Sequence, residues 1–204
     1  MPLGANKAAI MGVSGTAVAG AVVLIASETA TSDAEINFTS GIDATYGEYI
    51  FKFYNMNPEY ANTASFVFNG SIDGGSNYNV TKTTTYISAT HYETGAVYAG
   101  GAYDVLLQYS TSGDLAQSTS NQPLAREVEH DADGSCVGEL HLFNPSSTTY
   151  VKHFYATMNS YNSSESSRNS YIAGYFNDTN NIDAMEFKFS TGDFDGTIKM
   201  WGVK

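Results

Sequence analysis

Any chemistry in this chain has to start from four histidines (His91, His130, His141 and His153), one cysteine, Cys136, and 21 acidic side chains. The histidines lack the i, i+4 helical pairing of a zinc protease. His141 and His153 fall inside runs that read as strands, where an exposed or hydrogen-bonded histidine is commoner than a metal ligand. There is no Gly-x-Ser-x-Gly elbow, and Cys136 lies in no nucleophile motif, so it reads as a small buried hydrophobe. Being alone, it also excludes an intrachain disulfide and a Cys-rich zinc site. Asp131-Ala132-Asp133-Gly134 and Asp193-Phe194-Asp195-Gly196 begin like calcium loops. Position six must be glycine, however, and is Cys136 in the first and Ile198 in the second, so both read as ordinary turns. Neither a phosphate-binding nor a dinucleotide-binding glycine loop occurs. With so many acids, no carboxylate pair for glycoside hydrolysis can be singled out. The expectation is a protein that is not an enzyme, with no cofactor and no metal.

What remains is surface chemistry. The 15 tyrosines suit a face on which sugars stack, although most sit in patterns that sheets and cores use as well. A net charge of −12, with nine basic residues and with Arg126 and Arg168 far apart in sequence, argues against a nucleic-acid partner.

The elements that must position these residues are strands. Charged residues make up only 15% of the chain, too few for long solvated helices, and 204 residues suit one domain with a substantial core. The apolar pattern has period two almost throughout. Ala34 to Thr39 alternates. Tyr49, Phe51 and Phe53 share one face against Ile50, Lys52 and Tyr54. Ser65 to Phe68, Thr81 to Tyr92 and Glu139 to Phe143 read as further strands, and Asp73-Gly74-Gly75-Ser76-Asn77 reads as a turn. Tyr150 to Met158 and Ser170 to Phe176 read as two strands joined by a Ser- and Asn-rich loop, 159–169. Near the C-terminus, Met185, Phe187 and Phe189 share a face, as do Ile198 and Met200, with Trp201 on the other side. Residues 95–134 read as long loops with one short helix. The total is about nine or ten strands, enough for two packed sheets.

Residues 8–27 carry no charge and superficially match a signal peptide or a membrane span. Glycine and serine dilute the run, and only Ala21 to Ala26 is compactly apolar. The preferred reading is therefore an N-terminal extended arm, residues 1–20, ahead of a β-sandwich domain, residues 21–204. In the arm, Leu3, Ile10, Met11 and Val13 are the candidate assembly contacts, since exposed apolar side chains gain by lying along a neighbour.

Three stretches carry a resemblance. Phe38-Thr39-Ser40-Gly41-Ile42-Asp43-Ala44-Thr45-Tyr46-Gly47-Glu48-Tyr49-Ile50-Phe51, Glu139-Leu140-His141-Leu142-Phe143-Asn144-Pro145-Ser146-Ser147, and Phe187-Lys188-Phe189-Ser190-Thr191-Gly192 through Gly196-Thr197-Ile198-Lys199-Met200-Trp201-Gly202 resemble virion structural proteins of tailed bacteriophages, marine ones especially. The opening Met1-Pro2-Leu3-Gly4-Ala5-Asn6-Lys7 is similar too, whereas 60–135 matches little. The resemblance implies a jelly-roll-like antiparallel β-sandwich on the exterior of a virion. It implies capsid decoration, or else a tail or head fibre that binds a host-surface glycan. The expected partners are other virion proteins and further copies of the chain, three in all for a trimer, with no membrane partner.

Overall fold

The computed structural model describes residues 21–60, 63–95 and 105–204. The arm, with Leu3, Ile10, Met11 and Val13, lies outside them. The described chain forms strands β1 (Val22–Asp33), β2 (Ile36–Phe38), β3 (Glu48–Pro58), β4 (Phe66–Ser71), β5 (Lys82–Tyr92), β6 (Val105–Tyr109), β7 (Gln122–Ala125), β8 (Cys136–Phe143), β9 (Lys152–Asn162), β10 (Ser166–Phe176), β11 (Ala184–Phe189) and β12 (Phe194–Val203). All pairings are antiparallel. The larger sheet runs β1-β12-β3-β8-β9-β10-β5-β6 and the smaller β2-β11-β4-β7.

Set aside β5, β6, β9 and β10, and two four-stranded sheets remain, β1-β12-β3-β8 and β2-β11-β4-β7. Through them the chain changes sheet at β1 to β2, β2 to β3, β3 to β4, β7 to β8, β8 to β11 and β11 to β12. This is the plan of an eight-stranded jelly roll. The hairpin β9–β10 extends the larger sheet beyond β8, and β5–β6 adds to the far side of β10. Both additions widen only one of the two layers.

The alternation expected from sequence holds where strands face both core and water. Tyr49, Phe51 and Phe53 of β3 are buried, as are Ile198 and Met200 of β12, while Trp201 lies on the other face. Phe187 of β11 sits at the centre of the core. Its ring centre is 5.1 Å from Phe51 and 5.3 Å from Phe53 of the larger sheet, and 6.1 to 6.3 Å from Phe38, Phe66 and Phe68 of the smaller.

Two expectations fail. Residues 95–134 contain no helix among the described residues. They supply β6, paired to β5, and β7, paired to β4 at the edge of the smaller sheet. Four residues are too few to show a period, and Pro123 masks the strand because proline is tolerated only at such an edge. The loop expected over 159–169 is mostly strand, with only Ser163, Ser164 and Glu165 turning between β9 and β10. Its polar side chains hydrogen-bond across the hairpin. Asn159 Nδ2 donates to Ser167 Oγ at 3.0 Å and to Asn169 Oδ1 at 2.7 Å. Serine and asparagine, which favour turns when alone, are here partners in a ladder.

Candidate functional site

The outward face of the larger sheet carries Trp201, His141, His153, Tyr155 and Tyr175. Paired residues of adjacent strands share a face, so the register places Leu24, Trp201, Ile50, His141, Tyr155, Ala173 and Thr85 in one row across it. His141 stacks on Tyr155 with ring centres 4.5 Å apart, and Phe143 lies 5.7 Å from Tyr155. On the next row towards the β8–β9 loop, His153 and Tyr175 are 5.8 Å apart.

Two loops raise a wall at one end of this face. In the β2–β3 loop the Tyr49 hydroxyl donates to the Asp43 carbonyl and accepts from the Asp43 backbone N–H, both at 2.9 Å. The Asp43 carboxylate accepts from the Thr45 side chain and, at 2.7 Å, from the Thr45 backbone N–H, and these bonds hold its pKa below the usual range. Tyr46 then packs over Gly202, where a Cβ would come within 2.5 Å of its ring, so only glycine leaves room for it. In the β8–β9 loop Asn144 takes a positive φ of 45° and its N–H donates to the Gly47 carbonyl at 2.7 Å, tying the two loops together. Ser147 Oγ accepts from the N–H groups of Thr149 and Tyr150 at 3.3 and 3.1 Å. Tyr150 is thereby held on a fixed backbone although 74% exposed.

Between the loops lies a groove of about 720 Å³, lined by Tyr46, Gly47, Phe143, Asn144, Ser146, Ser147, Tyr150 and His153, among others. Past Phe143 and His153 it continues as a depression of about 400 Å³ over Tyr155, Ala173, Tyr175, Thr83 and Thr85. No aspartate, glutamate, lysine or arginine lines either stretch.

Beside the groove runs a charged ladder. His141 Nδ1 is 2.5 Å from Glu48 and its Nε2 3.3 Å from Glu139, which also meets Lys52 at 3.4 Å. Partial burial works against the Glu139 charge, but His141 and Lys52 outweigh it and keep the pKa below the usual range. Both ring nitrogens of His141 are thus engaged by carboxylates, one from each strand. The ladder therefore pins β3 to β8.

The other candidates serve the scaffold. Cys136 is buried and burial pushes its thiol pKa up, the opposite of an activated nucleophile. Arg126 and Arg168, far apart in sequence, meet at Glu127, whose carboxylate is 3.0 Å from Arg168 and 3.8 Å from Arg126. Glu129, His130 and Asp131 bring their ligand atoms within 4.8 Å of one another. There the Glu129 carboxylate accepts from the His130 backbone N–H at 2.9 Å and contacts its ring Nδ1 at 3.1 Å. The Asp131 carbonyl accepts from Asn57 Nδ2 at 3.0 Å and from the Gly134 N–H at 2.8 Å, and Asp195 Oδ1 from the Ser32 N–H at 2.9 Å. Both acidic turns are thus tied into the fold. The sequence pattern puts His141 and His153 in strands but marks no site at Tyr46, Asn144, Ser147 and Tyr150. Asn144-Pro145-Ser146-Ser147 reads simply as a strand terminator until the opposite loop is seen.

No protein-family model, curated protein or solved structure matches the chain.

Proposed function

We propose that the chain is a non-catalytic structural protein on the exterior of a bacteriophage particle, a capsid decoration protein that joins its neighbours through the β1–β12–β3–β8 half of the outward face of its larger sheet. The observation that carries this reading is the composition of that face. Val22, Leu24, Tyr54 and Val137, from β1, β3 and β8, are all at least 40% exposed on it, and no described element covers them. Apolar surface gathered on one broad face marks an interaction site. Double-sheet jelly rolls are a recurring plan of capsid proteins, and the sequence stretches that resemble phage virion proteins support the same reading. The arm, residues 1–20, supplies further apolar side chains for a neighbouring subunit.

Locating the chain in electron-microscopy maps of intact particles tests the proposal. The expected result is density for the sandwich on the particle surface, in several copies around a symmetry axis. Deleting residues 1–20 is expected to abolish attachment while leaving a soluble fold. Absence from purified particles would overturn the reading, and retained attachment would remove the arm from it.

A further inference from the structure

We infer that the groove over Tyr46, Tyr150, Phe143, His153 and Tyr175 is a saccharide-binding site that takes an uncharged oligosaccharide. Three independent features carry the inference. The first is Tyr150, a large ring held in water by a backbone that Ser147 fixes, with no ring partner among the described residues. Ordering a ring without burying it gains the fold nothing. A sugar's C–H face covers such a ring well, while the phenol oxygen stays free to hydrogen-bond.

The second is charge. The chain carries −12 overall, yet neither stretch of the groove is lined by a charged side chain apart from the titratable His153. The surrounding negative field disfavours an anionic ligand, and a cationic peptide would find no carboxylate inside. A neutral ligand matches this lining. The third is the kind of polar group present. Ser146, Ser147 and Asn144 at one end, and Thr83 and Thr85 at the other, offer hydroxyls and an amide. These both donate and accept, as sugar hydroxyls do. The floor crosses β8, β9, β10 and β5 in register; Phe143, His153 and Tyr175 present rings from the first three, with His153 and Tyr175 5.8 Å apart, and β5 presents threonines. That spacing is close to the length of one pyranose unit and suits a linear oligosaccharide lying across the strands.

The site does not depend on where the protein resides. Its test uses the full chain on a glycan array of neutral and acidic oligosaccharides, followed by titration with the neutral hits. The expected result is binding of neutral glycans with dissociation constants in the micromolar to millimolar range. Tyr150→Ala should weaken it roughly tenfold or more, and Tyr150→Phe should keep most of it. Tyr109→Ala, on an exposed ring at the far edge of the sheet, should leave it unchanged. Thermal unfolding of each variant separates a lost site from a lost fold. The inference is overturned if no neutral glycan binds at millimolar concentration, if only acidic glycans bind, or if Tyr150→Ala binds like the parent. Self-association abolished by Tyr150→Ala would also overturn it, by assigning the groove to a second copy of the chain.

Discussion

Lys82 has no accessible surface, and its ammonium group donates to the Ser120 carbonyl at 2.7 Å, 5.8 Å from the centre of the Phe176 ring. No carboxylate pairs with it among the described residues. Burial draws its pKa down from the ordinary 10.5 to about 7. The folded value lies below the unfolded one, so between them the unfolded chain binds more protons. Stability therefore rises with pH from about 7 towards 10.5, and the cost of the buried charge is fully present below pH 7. Lys82→Met keeps the length of the side chain and removes the charge, at the loss of one hydrogen bond. It is expected to stabilise the fold by about 1–3 kcal/mol at pH 6 and to abolish most of the gain between pH 7 and 9. Urea unfolding midpoints of parent and variant at pH 6 and 9 check both. A variant no more stable than the parent at pH 6 would mean that the ammonium is well solvated in the fold.

At the scale of elements, the β9–β10 hairpin is held by its ladders to β8 and β5, and a buried side chain ties its turn end to the segment 126–127 as well. Asn162 Nδ2 donates to the carbonyls of Glu127 at 2.7 Å and Arg126 at 3.1 Å, while Arg168 of β10 also reaches the Arg126 carbonyl at 3.2 Å. Asn162→Ala leaves the Glu127 carbonyl without that donor and is expected to cost about 2–4 kcal/mol. Hydrogen exchange should show the turn 126–128 loosening first. Equal protection of that turn in both proteins would argue that the hairpin is held by its ladder alone. The same residue shows what a sequence hides. In β3, β11 and β12 one face meets the core and the other meets water, so period two reports them. In β9 and β10 beyond Met158 the inward positions are Ser160, Asn162, Ser166 and Ser170, polar groups of which Asn162 and Ser170 bond to partners distant in sequence, the carbonyls of Arg126 and Glu127 and the hydroxyl of Tyr86. Nothing local distinguishes these from a loop. The groove was illegible for a related reason. Tyr46 and Tyr150 are about a hundred positions apart, and their loops meet through the β3–β8 pairing and the hydrogen bond from the Asn144 N–H to the Gly47 carbonyl.

For the molecule as a whole, Phe187 makes the two sheets one unit, since its ring touches phenylalanines from both. Phe187→Ala is expected to cost about 3–5 kcal/mol. Unfolding should stay a single transition, with Trp201 fluorescence, which reports on the larger sheet, and far-ultraviolet circular dichroism sharing one midpoint. Separate midpoints would show that the strands added to the larger sheet melt on their own. The pairing of the outermost strands has a different consequence. Val22 of β1 is the register partner of Val203 of β12, so the described fold begins and finishes at one corner. A short linker there would close it into a ring. The sandwich could then be reopened at the glycine turn Asp73–Asn77 with all its strands intact, giving a permuted protein whose free ends lie on the turn after β4, away from the corner where β1 and β12 meet.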